Sequence, residues 1–234
     1  MKDGGTAIII GAGSGLSASL AKRFDRANMN IALAARNIDK LSGLIGDIDA
    51  KAYACDVAEA DQVDGLFAAV AQDFGVPDVV IFNASARVRG PITEIDPEEV
   101  KRSVLITGYS GFLVGQAAAK LMIPAGKGTI MFTGASAGVK GFPQSATFAM
   151  GKFALRGLAQ SMARELHPQN IHIVHVVVDG GIKSAARDRG ANDDRGPDAW
   201  LDPDAIADTY YHLHTQHRSS WSWEIEVRPW VEKF

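Results

Sequence analysis

Short apolar runs alternate along the chain with longer segments in which apolar residues recur at helical spacing. The first run covers residues 7–10, and a helical segment follows it at residues 16–27. Because strands separated by helix-length connections pair in parallel, with helices on both faces, this order predicts a doubly wound α/β fold. The predicted sheet is mainly parallel, with seven strands at residues 7–10, 30–35, 51–55, 78–82, 129–132, 171–178 and 223–227. The predicted helices cover residues 16–27, 38–46, 59–74, 97–122, 148–167 and 203–216.

Length and composition indicate one globular domain and a small-molecule substrate. The 234 residues are 47% hydrophobic and 22% charged, so one core of ordinary size can form, and we predict a single domain over residues 1–234. The formal net charge of −3 gives no broad cationic field. This argues against nucleic acid or an anionic membrane as the partner.

The single cysteine bears on the compartment. Because Cys55 has no second cysteine to pair with, no disulfide forms within the chain, which favours a reducing environment. The N-terminus shows no basic region followed by a long apolar core, and residues 6–10 are too few to cross a bilayer. We therefore expect a cytoplasmic protein with no membrane partner.

A glycine-rich loop directly follows the first strand and opens the first helix. It reads Gly11-Ala12-Gly13-Ser14-Gly15-Leu16. A diphosphate needs backbone N–H donors at a helix N-terminus and no side chains where the backbone passes it, and small residues meet both conditions. Leu16 stands where a strict GxGxxG motif has its last glycine, so the motif departs from that pattern. The loop predicts the dinucleotide site of a Rossmann fold.

Arg36 bears on which dinucleotide binds. It follows the second strand, at the place where NAD-binding folds present an acid to the ribose diol. A guanidinium forks onto phosphate oxygens, so Arg36 favours NADP(H) over NAD(H) by binding the 2′-phosphate. The alternative is a solvated arginine at the start of a helix.

Three further motifs in the same order resemble the short-chain dehydrogenase/reductase family, over residues 6–182. Asp56-Val57 resembles the family's adenine pair, and Asn83-Ala84-Ser85 resembles its Asn-Ala-Gly segment. Asp179-Gly180-Gly181-Ile182 resembles its Pro-Gly turn beside the nicotinamide, with aspartate in the proline position. The resemblance implies that these segments bind the cofactor, through Asp56, Val57, Asn83, Ala84, Gly180 and Ile182.

The family's catalytic residues are matched only in part. Its Tyr-x-x-x-Lys pair is represented by Phe148 and Lys152, its serine position by Ala135 with Ser136 beside it, and its helix asparagine by Leu105. The resemblance implies that Lys152 binds the nicotinamide ribose, whereas Phe148 has no proton to give. Replacement donors, or merely structural hydroxyls, are Ser136, Ser145 and Tyr109.

These departures leave three hypotheses for function. The first is an NADP(H)-dependent oxidoreductase whose substrate needs no tyrosine acid, such as an imine or an enone, because reduction of these groups does not produce an alkoxide. The second is a conventional carbonyl reductase with a replacement proton donor. The third is a cofactor-binding pseudoenzyme that acts as a sensor.

The remaining candidate features concern substrate, metal and assembly. Residues 181–201 form an irregular segment typical of a substrate loop, and Arg87 and Arg89 either meet an acidic substrate or are solvated. His212, His214 and His217 do not share one helix face, so we predict no metal site.

The resemblance implies a homodimer or homotetramer, and small residues on the helix at 97–122 would suit that contact: Gly111, Gly115, Ala118 and Ala119. The alternation at residues 223–227 predicts an edge strand with one buried face and one polar face.

Overall fold

All seven predicted strands form. The computed structural model describes residues 2–184 and 194–233 of the chain. Its strands are β1 (Thr6–Ile10), β2 (Asn30–Ala35), β3 (Ala50–Ala54), β4 (Val79–Phe82), β5 (Gly128–Thr133), β6 (Ile171–Val178) and β7 (Glu224–Val227). They lie in one sheet of order β3-β2-β1-β4-β5-β6-β7, and every neighbouring pair is parallel. The prediction of a seven-stranded parallel sheet is therefore confirmed.

Helices occupy the predicted connections. They are α1 (Leu16–Asp25), α2 (Ser42–Asp47), α3 (Ala60–Phe74), α4 (Pro97–Val104), α5 (Ser110–Ala125), α6 (Ala146–Leu166) and α7 (Pro203–His214). Short 3-10 turns lie at Ile38–Leu41, Ser136–Gly138, His167–Gln169 and Arg218–Ser220. Helices α4 and α7 each begin with a proline preceded by an aspartate, Asp96 or Asp202, whose carboxylate accepts a hydrogen bond from the backbone N–H of the second residue of the helix.

The core has two layers, one on each face of the sheet. One layer lies under α3, α5 and α6 and contains Phe67, Leu113 and Leu155. The other lies under α1 and α7 and contains Phe24 and Tyr210. All residues of β1 and β6 are buried, which explains why apolar residues predominate in both strands.

The helix predicted over residues 97–122 forms, with a π turn inside it. Leu105–Tyr109 form this turn between α4 and α5. The Leu105 carbonyl accepts the Ser110 N–H, five residues along the chain, and also the Ser110 hydroxyl at 2.9 Å. At this turn the helix passes close to α6, because a Cβ added at Gly108 would lie 3.1 Å from the Ala154 Cβ. The π turn itself was not predicted.

The small residues of α5 pack inside the chain. A Cβ added at Gly111 would lie 2.4 Å from the Leu155 Cδ1, and one at Gly115 would lie 2.9 Å from the Met162 Sδ. Ala118 is fully buried, and Ala119 packs against the same core layer. Within the chain, Gly111 and Gly115 thus let α5 and α6 approach each other closely.

The last strand is at the edge of the sheet, as predicted, but its polar face is not simply solvated. Glu224 lies partly buried between two basic side chains. It accepts two hydrogen bonds of 2.7 Å from Arg156, and its carboxylate lies 2.9 Å from the His175 Nδ1. This cluster ties β7 to α6 and β6.

Two further observations concern the substrate loop and membranes. Residues 185–193 of the predicted substrate loop lie outside the described residues, while Ile182 and Leu201 form an isolated parallel bridge. Within residues 2–184 and 194–233, no helix is long and apolar enough to cross a membrane.

Candidate active site

The parallel sheet brings the predicted site residues to one edge. The carboxyl ends of β1 to β6 face the same way, so the segments that follow these strands meet there. These segments carry the glycine loop, Arg36, Asp56, Asn83, the Ser136 turn and Gly180.

The glycine loop lies close to the end of β2 and to the segment that follows β4. The N–H groups of Gly11 and Ala12 both donate to the Ala34 carbonyl, and Gly11 has a φ of +81°. A Cβ at Gly11 would lie 2.6 Å from the Ala84 nitrogen, so a side chain there would collide with backbone. By contrast, Cβ atoms built on Gly13 and Gly15 would meet nothing within 4 Å. The loop therefore leaves an open cradle before α1.

Ser17 and Asn83 fix the shape of this cradle. The Ser17 hydroxyl donates to the Gly11 carbonyl at 3.0 Å, and the Asn83 side-chain amide donates to the Ser17 Oγ at 2.7 Å. No side chain caps the N-terminus of α1 at Gly15, while Leu16 turns into the core. Ser14 is exposed on the open side of the loop. The first N–H groups of α1 thus remain directed at the cradle.

A cleft of about 270 Å³ lies beside the cradle at the ends of β2 and β3. Arg36 and Asp56 line it from the sheet, and Arg102, Leu105 and other residues line it from α4 and the π turn. Val57, next to Asp56, is buried in the core. The cleft thus combines several cationic and carboxylate side chains with an apolar wall.

Lys152 is the most deeply buried cation of the site. Its side chain projects from α6, the residue is 3% exposed, and its ammonium donates to the Thr133 carbonyl at 2.6 Å. Burial lowers the pKa of Lys152 to about 8, because the charged form is desolvated. The ammonium lies 5.7 Å from the centroid of the Phe148 ring, one turn earlier on the helix.

A second cation approaches the same ring. The Arg87 Cζ lies 5.0 Å from the Phe148 centroid, and its Nη2 donates to the Ser145 hydroxyl at 3.2 Å. Ser145 is 1% exposed, whereas Arg87 is largely exposed. A buried ammonium and an exposed guanidinium therefore both lie within 6 Å of the centroid of the Phe148 ring.

The three proposed replacement donors lie in different surroundings. Ser136 begins a turn that packs on α6 beside Lys152, since a Cβ at Gly138 would lie 3.4 Å from the Lys152 Cβ. Ser145 is already engaged with Arg87. Tyr109 is 45% exposed and stacks on Phe112, so it belongs to the outer surface of the helices.

The Asp179 segment closes the other end of the site. The Asp179 carboxylate is buried and lies 3.0 Å from the Arg228 guanidinium and 3.7 Å from the Lys140 ammonium. Gly180 has a φ of +157°, and a Cβ there would lie 2.6 Å from the Pro229 Cδ. The aspartate in the family's proline position thus serves as an anchor between β6 and the segment after β7.

Comparison with known proteins identifies the family. The short chain dehydrogenase family model matches residues 5–195. The chain belongs to the short-chain dehydrogenase family. Members of this family are NAD(P)-dependent oxidoreductases, and so is this chain.

Two solved structures and one curated protein resemble this short-chain dehydrogenase along most of its length. A short-chain dehydrogenase from Rhodopseudomonas palustris is 33% identical, covers 97% of this chain and 99% of its own, and has a TM-score of 0.84. A metagenomic short-chain oxidoreductase in complex with NADP is 27% identical, covers 97% of both chains and has a TM-score of 0.82. Oxidoreductase asL5 of Sarocladium schorii is 32% identical over 173 residues, which are 73% of this chain and 69% of that protein.

Some contacts of this short-chain dehydrogenase have no signal in the sequence. Thr133 supplies the carbonyl that holds Lys152, and its hydroxyl lies 2.8 Å from the buried Tyr210 phenol. Thr107 and Thr147 bind the backbone on either side of Arg87. Isolated threonines in helices look like ordinary helix residues, so only the folded chain identifies these contacts.

The histidines serve structural contacts in the described part of the chain. His214 Nδ1 lies 3.0 Å from the Thr129 hydroxyl, and His217 Nδ1 accepts the Ser219 N–H. His172 stacks on Trp221 with centroids 4.6 Å apart. Residues 2–184 and 194–233 contain no group of three side chains arranged to hold a metal ion.

Proposed function

We propose that this short-chain dehydrogenase is an NADP(H)-dependent reductase of protonated imines or conjugated enones. The observation that carries the proposal is the pair of Phe148 and Lys152, one turn apart on α6, with a buried ammonium beside a ring that has no hydroxyl. Phe148 stands in the position of the family's tyrosine acid. The cofactor-binding lysine is thus kept while the usual proton donor is missing.

The chain's own residues fit a nicotinamide dinucleotide phosphate. The cradle at Gly13 and Gly15 has room for a diphosphate, since even a Cβ would meet nothing within 4 Å there. Arg36 in the adjoining cleft suits the 2′-phosphate, and Asp56 suits the adenine amine. The NADP found in the metagenomic relative supports the same choice.

The missing phenol restricts the chemistry. When bound, the reduced nicotinamide supplies a hydride, and Lys152 would hold its ribose. Hydride addition to a ketone leaves an alkoxide that needs an acid, and Phe148 cannot serve as one. A protonated imine brings its own proton: the imine carbon accepts the hydride, the C=N electron pair moves to nitrogen, and a neutral amine results. An enone yields an enolate, a weaker base that a nearby cation such as Arg87 stabilises.

Cofactor choice is tested with Arg36→Ala. We expect this change to weaken NADPH binding by about 1.5 to 3 kcal/mol, the range for a charge-assisted hydrogen bond, and to leave NADH binding nearly unchanged. Fluorescence titration measures both affinities. Arg26→Ala, on the exposed end of α1 away from the cleft, is the matched control. An equal loss for both cofactors, or a preference of the wild type for NADH, would contradict the assignment.

The reaction class is tested with wild-type enzyme, NADPH and three compounds: 2-methyl-1-pyrroline, cyclohex-2-enone and cyclohexanone. We expect oxidation of NADPH with the imine or the enone and none with cyclohexanone. Turnover of cyclohexanone alone would favour a carbonyl reductase with Ser136 as its donor. NADPH binding without turnover of any compound would favour a sensor.

We also propose a cytoplasmic homo-oligomer. The outer faces of α5 and α6 and the adjoining turn expose large apolar side chains, which a second copy would cover: Tyr109, Phe112, Met150 and Phe153. Light scattering tests the assembly, and a monomer at micromolar concentration would contradict it.

A further inference from the structure

We propose that His175 is a positioning residue for Lys152: its imidazole supports the end of β5, whose last carbonyl binds the Lys152 ammonium. The cofactor role of Lys152 rests on the proposed function, whereas the role of His175 rests on contacts within the chain. Three observations carry the inference: the packing of the imidazole against the end of β5, its orientation by Glu224, and a path of contacts that returns to the helix bearing Lys152.

His175 is completely buried against the end of β5. It lies in β6 opposite Phe132 of β5, and a Cβ added at Gly134 would lie 2.4 Å from the His175 Nε2. A side chain at residue 134 would collide with the imidazole, so the ring packs directly against the backbone there. The preceding residue, Thr133, supplies the carbonyl that accepts the Lys152 ammonium at 2.6 Å. The imidazole thus contacts the residue next to the one that anchors the ammonium.

Glu224 orients the imidazole. Its carboxylate lies 2.9 Å from the His175 Nδ1 and accepts two hydrogen bonds of 2.7 Å from Arg156. The hydrogen bonds from Arg156 lower the pKa of Glu224, which is therefore ionised at neutral pH. An ionised carboxylate only accepts hydrogen bonds, so a neutral His175 carries its hydrogen on Nδ1 and its lone pair on Nε2. Glu224 thereby selects one tautomer and one orientation of the ring.

The same contacts return to the helix that carries Lys152. Arg156 follows Lys152 by about one turn of α6, and its guanidinium binds both carboxylate oxygens of Glu224. Glu224 in turn is the residue of β7 that pairs with His175 of β6. The path from Lys152 through the end of β5, the imidazole and the carboxylate therefore closes on α6 itself. Because these hydrogen bonds share partners, loss of one member loosens the others, and the position of the ammonium depends on all of them.

The charges around His175 favour its neutral form. The charged groups that act on the imidazole are Glu224 from β7 and Lys152 and Arg156 from α6. Burial lowers the pKa of His175, and the two cations lower it further, against the opposing effect of Glu224. Within residues 2–184 and 194–233 the Nε2 has no hydrogen-bond partner, so a proton there would add a buried charge near the Lys152 ammonium. A neutral ring supports the end of β5 without repelling the ammonium.

The first test detects the environment of Lys152 in the absence of cofactor. In protein labelled with nitrogen-15 at lysine, the buried ammonium should give an NMR signal with slowly exchanging protons, which Lys152→Met assigns by its loss. We expect His175→Ala to remove this signal or to move it to the position of solvated lysines, because the carbonyl that holds the ammonium is no longer fixed. His172→Ala is the matched control, since His172 is a buried histidine of the same strand that stacks on Trp221, and it should leave the signal unchanged.

The second test measures NADPH affinity in a double-mutant cycle. His175→Ala alone should weaken NADPH binding about tenfold. It should have no further effect when combined with Lys152→Ala, because a positioning residue acts only through the residue that it positions. Fluorescence titration measures each affinity, and His172→Ala should change none of them.

Glu224→Gln tests the same network with a smaller change, which decides the matter if His175→Ala does not fold. The glutamine keeps an acceptor beside the His175 Nδ1 but loses the charge that binds Arg156. We expect the Lys152 signal to broaden and NADPH binding to weaken about two- to fivefold. Glu165→Gln, at an exposed glutamate of α6, is the control and should have neither effect. Circular dichroism shows which variants are folded.

An unchanged Lys152 signal in the folded variants of His175 and Glu224 would overturn the inference. An equal change in His172→Ala would also overturn it, and so would a loss of NADPH affinity that His175→Ala causes as strongly in Lys152→Ala as in the wild type. If the signal responds as expected but Lys152→Ala binds NADPH as the wild type does, the positioning role of His175 stands, and the cofactor role given to Lys152 in the proposed function is contradicted.

Discussion

Two cations, Lys152 and Arg87, lie within 6 Å of the centroid of the Phe148 ring. Their charges would affect the acidity of a hydroxyl added to this ring. A phenol near the Lys152 ammonium would have a lowered pKa, because the positive charge favours the phenolate. Its acidity would then lie nearer to the pH at which the enzyme works, as general acid catalysis requires. On the proposed function, the lysine that would accompany such a phenol, Lys152, is already present one turn along α6.

Phe148→Tyr should therefore create or raise NADPH-dependent reduction of simple ketones such as cyclohexanone. General acid assistance is worth about a hundred- to ten-thousandfold, and the lack of a serine at Ala135 places the expected gain at the low end. The double change with Ala135→Ser should exceed the single change, because a hydroxyl there would stabilise the developing oxyanion. Initial rates with saturating NADPH measure both gains.

If neither variant reduces ketones faster than the wild type while both bind NADPH normally, the missing phenol is not what excludes ketones. The walls of the pocket would then be responsible. Phe148→Leu serves as the control, since it changes the ring without adding a proton donor.

The buried charge of Lys152 gives a pH dependence of stability whose direction is fixed. An unfolded lysine has a pKa of about 10.4, whereas burial lowers the pKa of Lys152 to about 8. Between these values the unfolded chain holds a proton that the folded chain has lost, so this residue makes stability rise with pH. Below pH 8 the charge is present in both states, and the folded state bears the full desolvation cost.

Relative to Lys152→Met, the wild type should therefore gain up to about 3 kcal/mol in the free energy of unfolding as pH rises from 8 to 10.5. Urea denaturation of both proteins at several pH values measures the difference, and other titrating groups cancel in the comparison. A difference that stays constant, or that changes in the opposite direction, would show that Lys152 keeps an ordinary pKa.

At the scale of elements, the π turn at Leu105–Tyr109 connects the cleft at Arg36 to the segment at Ala86 that follows β4. Leu105 and Ile106 line the cleft beside Arg36. One residue later, the buried Thr107 hydroxyl binds the backbone of Ala86 next to Arg87. One turn of helix thus contributes to both halves of the site.

Thr107→Val should lower the free energy of unfolding by about 1 to 3 kcal/mol, because it leaves the partly buried Ala86 N–H without its acceptor at nearly unchanged volume. Urea denaturation measures the loss. Thr209→Val, which removes a solvent-exposed hydrogen bond of a partly buried threonine on α7, is the control and should cost less than about 0.5 kcal/mol. An equal loss in both variants would contradict the role given to Thr107.

The type and bounds of a helix or strand could be predicted where the local sequence pattern agrees with the tertiary contacts of that element. The fully buried strand β6 was predicted with its correct bounds, because six of its eight residues are isoleucine or valine. The π turn was not predicted, since residues 105–109 carry no proline or unusual pattern. It coincides with the close passage of Gly108 over α6, a tertiary contact that helix periodicity does not reveal.

At the scale of the whole molecule, strand order explains how much of the site the sequence could indicate. Once the strands are parallel, the segments after them must meet at one edge, so Gly11, Arg36 and Asn83 could be grouped in advance. The contact between Arg87 and Phe148 joins residues 61 positions apart, through the direction of a long side chain. Nothing in the local sequence determines that direction. For the same reason the Glu224 cluster, which joins three elements, was predicted only as a polar strand face.

The position of β1 between β2 and β4 has a consequence for synthesis of the chain. Roughly 70 residues separate the end of β1 from the start of β4, so at 5–20 residues per second the ribosome needs about 4 to 14 seconds to supply the second neighbour. During that interval β1 presents an unpaired apolar edge, which is prone to association with other nascent chains. The contact of Gly11 with Ala84, and the Ser17–Asn83 hydrogen bond, must also wait for β4. The glycine loop, though it is translated first, therefore takes its final shape only after a third of the protein has been made.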